Sequence, residues 1–346
     1  MKSGKGKKLA LLAAIMIIVT ATSTLLTVFI NKAEETAQED TITIATSFYP
    51  VYIAALNVTE GMDHVKVVNL MQEQKGCLHD YQLTTDNMRT LEHADALIIN
   101  GAGMESFIDD VKTNYKELDI IDSSKGISLL SATGEEHDHD HEEDHDHEDE
   151  DDHNHEEEAD HEEEHAEEEH DHDHDHGTDN AHIWVDPARY EQQITNIAEG
   201  LSQLDKENSE TYQKNAEAYL EKVKEVETEL AELKDLDYKK VILFHNSMQY
   251  LCETLGIEVP YSLNIDEDTS LSAGDVAKVI EEVKEHDIKV LFSEKQYESS
   301  IAERISKETG ANVYVFDSLV TGDDEKDAYL EGMRKNIEVF KKALYK

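Results

Sequence analysis

The chain has 346 residues, enough for two domains with additions, and a formal net charge of −48, with 79 Asp and Glu against 31 Lys and Arg. That balance excludes a nucleic-acid partner, whose phosphates must be neutralised by Lys and Arg, and favours cations instead. Two cysteines, Cys77 and Cys252, occur outside any C-x-x-C, which excludes a thiolate zinc finger and leaves a disulfide between them open.

Lys2, Lys5, Lys7 and Lys8 precede an uncharged, mostly apolar run of 22 residues from Leu9 to Ile30. A basic region followed by such a run is an export signal, and this one is long enough to cross a bilayer as a helix. An uncleaved anchor over 1–31 is expected, with Ala21-Thr22-Ser23 as the exit if it is cleaved and the body released. Basic residues before the span and acidic ones after it place the body outside the cytoplasm. Residues 32–40 read as a polar tether, and no cysteine lies there to take a lipid.

Beyond the tether, strand-like and helical patterns alternate. Thr41–Thr46, Val65–Leu70, Ala96–Ile99, Val241–Phe244, Val290–Phe292 and Val313–Phe316 are short apolar or β-branched runs. Strands alternating with charged amphipathic segments predict an α/β fold with parallel sheets. The runs fall into two groups, so two lobes are expected, at 41–208 and 236–346. Between them Tyr212, Ala216, Tyr219, Val223, Val226, Leu230 and Leu233 recur at spacings of four and three. That stripe predicts a long rigid helix at 209–235, packed along both lobes; a coiled-coil strand is the alternative.

The first lobe carries an insertion at about 135–180. Residues 135–176 hold 13 histidines and 26 acidic residues, with no Lys or Arg. Such a segment cannot bury a core and is expected to be disordered. His137, His139 and His141, and then His170, His172, His174 and His176, stand two residues apart. Imidazoles with carboxylates nearby suit a weak, multivalent zinc collector. An inert solvated linker is the bland alternative.

Six histidines lie outside the tract. His64, His93 and His286 sit in polar turns or at helix ends and read as structural or exposed. His79 lies in a loop after a strand. His245 directly follows Val241-Ile-Leu-Phe244. His182 precedes Ile-Trp-Val-Asp-Pro187, where the proline can open a helix. Such loops beyond strand ends are where open α/β sheets bind ligands.

Thr46-Ser-Phe-Tyr-Pro50, His79-Asp-Tyr-Gln-Leu with Asn87-Met, Asn100-Gly101, His182-Ile-Trp-Val-Asp-Pro187, Phe244-His-Asn-Ser-Met-Gln-Tyr250 and Phe316-Asp-Ser-Leu319 follow in order along the chain. With this ordered set the chain resembles the zinc- and manganese-binding substrate-binding proteins of bacterial ABC importers, especially the zinc-specific members. The resemblance spans 41–346 and implies a metal site in the cleft between lobes. It implies His79, His182 and His245 as zinc ligands, with Asp317 as the fourth and Glu294 as runner-up. Zinc is then cargo, delivered to an importer permease by a monomeric, membrane-attached protein that is not an enzyme. Three imidazoles suit zinc better than manganese, which prefers oxygen. Cys77, two residues before His79, reads as a small buried residue, although a thiolate there could reach the metal. A surface metal-buffering or adhesive protein built on the tract, and a zinc hydrolase, are the competing classes. The chain has no H-E-x-x-H to favour the hydrolase.

Overall fold

The computed structural model describes residues 41–71, 81–131, 179–263, 272–295 and 300–346. The predicted anchor, the tether, His79, Cys77 and the histidine tract fall outside these residues. Among those described, no helix is long and apolar enough to cross a membrane.

Two four-stranded sheets organise the fold. In the first, β1 (Ile42–Thr46), β2 (Val65–Asn69), β3 (Ala96–Ile99) and β4 (Asp119–Asp122) lie in the order β2-β1-β3-β4. In the second, β5 (Lys240–Leu243), β6 (Glu258–Ser262), β7 (Val290–Glu294) and β8 (Asn312–Phe316) lie in the order β6-β5-β7-β8. Every pairing within both sheets is parallel. The expectation of two parallel-sheet α/β lobes therefore holds. Each central strand is apolar along most of its length because helices cover both faces of a parallel sheet, and Ala96, Leu97, Ile98 and Ile99 are all buried.

The sequence reading passed over β4 and β6, and the reason is physical. Both are edge strands. β4 is an Ile pair flanked by Asp119 and Asp122, and β6 contains Pro260, which an edge strand tolerates because one side of its backbone needs no partner.

The helices are α1 (Tyr49–Val58), α2 (Thr85–Glu92), α3 (Ile108–Asn114), α4 (Pro187–Leu204), α5 (Ser209–Ala231), α6 (Gln249–Thr254), α7 (Ala273–Glu285), α8 (Ser300–Thr309) and α9 (Ala328–Leu344). Their starts follow local chemistry. Asp186 caps α4 by accepting from the Ala188 N–H, with Pro187 as first helical residue. Thr84 with Asn87, and Ser272 with Asp275, form reciprocal capping boxes on α2 and α7.

Helix α5 buries the predicted stripe from Tyr212 to Leu230. It packs on α1 and α4 of the first lobe and on α9 of the second. One continuous apolar cluster runs from Ile44 and Leu97, through Tyr190 and Val223, to Phe292 and Phe340, so the lobes share a core along this helix. A second cluster, with Ile242, Val279, Leu291 and Ile305, fills the other face of the second sheet beneath α7 and α8. Buried hydrogen bonds add to the junction. Tyr329 donates its hydroxyl to Trp184 O at 2.8 Å, and the Asn57 amide donates to Lys326 O at 2.9 Å. Separating the lobes would expose these groups together with the apolar seam, so small local movement is favoured over wide hinge opening.

Candidate metal site in the interlobe cleft

The loops that leave the carboxyl ends of the strands converge between the sheets. His245 follows β5 in extended backbone and precedes a short 3-10 turn at Asn246–Met248. His182 precedes another such turn at Ile183–Val185, which leads into α4. Both histidines are buried, at 1% and 3% exposure for His182 and His245. Their ring centroids are 4.7 Å apart and nearly perpendicular. They stand 63 positions apart in sequence, and the fold brings them together.

The two rings are held in parallel ways. His182 Nδ1 lies 2.8 Å from Asn180 Oδ1, and His245 Nδ1 lies 2.6 Å from Glu294 Oε1. Glu294 Oε1 also accepts from the Ser247 hydroxyl at 2.5 Å. With Nδ1–H as donor, a neutral imidazole carries its lone pair on Nε2, the nitrogen then suited to a metal. Burial pushes the Glu294 carboxyl up, but the pull of the His245 ring, the hydrogen bonds from His245 and Ser247, and the more distant His182 outweigh it and hold the carboxyl below its usual range.

Trp184 backs His182, with ring centroids 5.2 Å apart, and packs edge-on to Phe48. Its indole N–H donates to Ser318 O at 2.8 Å, fastening the His182 turn to the loop after β8. Behind His182, Asn100 donates to Ala181 O at 3.0 Å, while Glu105 accepts the N–H groups of Asn100 and Gly101 at 2.7 and 3.0 Å. Burial pushes Glu105 up to about 7, against the pull of these donors. Gly101 has φ +78°, and a Cβ there would fall 2.0 Å from Asp122 Oδ1, so only glycine fits.

The candidate carboxylates part company. Glu294 ends β7, is 3% exposed, and touches His245. Asp317 turns elsewhere: one oxygen pairs with Lys295 Nζ at 3.1 Å, the other accepts the Leu319 N–H at 2.9 Å. Beside it, a cavity of about 390 Å³ opens between Tyr49, Asn69 and Met71 on one side and residues 320–324 on the other. Burial, then Asp323, Asp324 and Asp317, push the Tyr49 phenol well up.

Among the described residues no group of three or more His, Cys, Asp or Glu side chains is arranged to hold a metal ion. His79 lies outside them, so the pair His182 and His245, with Glu294, is what the described residues contribute. The other lone histidines serve structure. His93 and His286 cap the ends of α2 and α7, and His64 joins Asp205 at 3.3 Å below the first sheet. Cys252 is buried in α6 as a free thiol pushed up to about 12 by burial, far from a reactive thiolate. Sequence reading missed Asn180, Ser247 and Glu105. The first two stand two residues from a site histidine, a proximity that marks them only once the loops are folded.

Two parallel-sheet lobes joined along a shared helix make the two-lobe α/β fold of solute-binding proteins. Residues 44–343 match the family model of ZnuA, the periplasmic component A of the zinc-uptake complex, and the chain belongs to that family. The zinc-binding protein AdcA of Streptococcus pyogenes serotype M3 is 28% identical over 321 residues, covering 90% of this chain and 58% of AdcA. The chain thus spans little more than half the length of that relative. The high-affinity zinc uptake system protein ZnuA of Bacillus subtilis (strain 168) is 24% identical over 321 residues, covering 91% of each. Among solved structures, FpvC of Pseudomonas aeruginosa in complex with Mn2+ superposes with a TM-score of 0.69 at 22% identity, covering 88% of this chain and 98% of that one.

Proposed function

We propose that this protein captures Zn2+ outside the cytoplasm and delivers it to an ABC importer. The observation that carries the reading is the buried pair of imidazoles, 4.7 Å apart, drawn from loops of the two lobes with each Nδ1 engaged. Membership of a zinc-uptake family and the zinc named in its relatives support the choice of metal. His182 and His245 supply two nitrogens, and His79 a third. Glu294, rather than Asp317, supplies the oxygen by leaving the His245 Nδ1–H, which it holds on the side of that ring away from Nε2, and turning onto the ion, while Asp317 is engaged by Lys295. Three nitrogens and one oxygen make a tetrahedral shell suited to zinc. The histidine tract gathers ions weakly. Residues 1–31 hold the protein at the membrane, 32–40 tether it, and a monomer meets the permease. Residues 41–208 and 236–346 act as the two lobes around the helix at 209–235.

Zinc titration of the exported protein with metal analysis tests this reading. One tight site should be lost in His79→Ala, His182→Ala and His245→Ala, while the weak sites vanish only on deleting the tract. Weak sites alone, or a tight site indifferent to all three substitutions, would overturn it.

A further inference from the structure

Asn180 stands two residues before His182, in the segment at which the described structure resumes after the histidine tract. It is 1% exposed, and all its polar groups are engaged. Its backbone N–H donates to Leu130 O at 2.6 Å, and its carbonyl accepts the Tyr250 hydroxyl at 2.5 Å. Its side chain faces two ways. Oδ1 accepts the His182 backbone N–H at 3.0 Å and meets His182 Nδ1 at 2.8 Å. Nδ2 donates to Asn246 O at 2.8 Å and to Gln249 Oε1 at 2.9 Å.

The orientation of this amide is settled by two groups whose roles cannot change. A backbone N–H only donates, and a backbone carbonyl only accepts. The oxygen must therefore face His182 N and the nitrogen must face Asn246 O. An oxygen can only accept, so His182 Nδ1 must carry the proton, and in the neutral ring the lone pair is on Nε2. The same amide reaches across the cleft to the residue next to His245. We propose that Asn180 is a positioning residue that makes His182 an Nε2 zinc ligand and sets its distance from His245. A neutral amide does for His182 what the Glu294 carboxylate does for His245, without adding a second buried charge beside the first.

This inference rests on the reading of His182 as a zinc ligand, and the test separates the two. The probe is Zn2+ alone, titrated into the full chain, with nitrogen NMR of the His182 ring in the zinc-free protein. The wild type should show the Nδ1–H tautomer. Asn180→Ala should mix the tautomers and weaken zinc by about 10- to 100-fold, with one tight site retained. Asn180→Asp keeps the acceptor for Nδ1–H and loses the donor to Asn246. It should restore the tautomer and recover part of the affinity, a rescue that a merely structural role would not produce. An Nε2–H tautomer in the wild type, or wild-type affinity in Asn180→Ala, would overturn the inference. If Asn180→Ala does not fold, the ring tautomer of Asn180→Asp decides it. His182→Ala is the control: unchanged zinc binding there sinks the ligand assignment itself, whereas loss there with no effect at Asn180 sinks only this inference.

Discussion

The two halves of the site reach the same chemistry by different means. His245 stands at a strand end and is held by a buried carboxylate from the neighbouring strand. His182 stands in a loop and is held by an amide two residues away, itself braced by the opposite lobe. The strand half depends on one strong, charged contact. The loop half depends on a web of neutral ones, through Asn180, Trp184, Asn100 and Glu105. The difference teaches that a loop ligand needs many weak supports where a strand ligand needs few, because the sheet already fixes the strand's backbone.

The sharpest way to break this contrast is on the strand side. Glu294→Ala leaves His245 Nδ1–H and the Ser247 hydroxyl without their acceptor and should weaken zinc binding on the order of 100-fold by calorimetry. A loss no greater than that of any single substitution in the loop web would erase the distinction.

On the loop side, Glu105 predicts a pH dependence of stability. Its folded value, about 7, lies above the ordinary carboxylate value, so the folded state holds this proton more tightly than the unfolded state. The contribution is fully present below the ordinary value and is lost as pH rises from there through about 7. Urea unfolding of the zinc-free protein should lose on the order of 2 kcal/mol across that window, and Glu105→Gln should flatten most of the slope. The remainder belongs to Glu191, also raised to about 7 by burial and by Glu227 beside it. A slope of opposite sign would refute the assignment.

Trp184→Phe keeps the ring packing and removes the indole N–H from Ser318 O. It should cost about 1 kcal/mol of stability, read as a lower urea midpoint, and blunt zinc affinity less than Glu294→Ala does. Smallest of all, Asp317→Asn should stay within about twofold of wild-type affinity, since the substitution keeps an acceptor for Leu319 and touches neither histidine. A large loss there would return Asp317 to the coordination shell.

Much of this was legible in the sequence because the relevant signals are local. Apolar runs marked the central strands, the four-and-three stripe of Tyr212 to Leu230 marked the long helix, and loop positions set His79, His182 and His245 apart from the other lone histidines. Pattern and position suffice there, since burial on a sheet face or helix stripe writes its period into the chain. The strands β4 and β6 left weaker marks, because β4 is a single Ile pair between two aspartates and β6 carries Pro260, which only an edge tolerates. What only the tertiary structure decided was pairing across the cleft. Asp317 and Glu294 both lie near strand ends and look equivalent in sequence, yet one meets Lys295 and the other His245. Asn180 is an unremarked polar residue until Asn246 O and the His182 N–H face it from opposite sides. Sequence spacing sets which face of an element a side chain takes, but the partner comes from another lobe, and only the packing of the lobes brings it there.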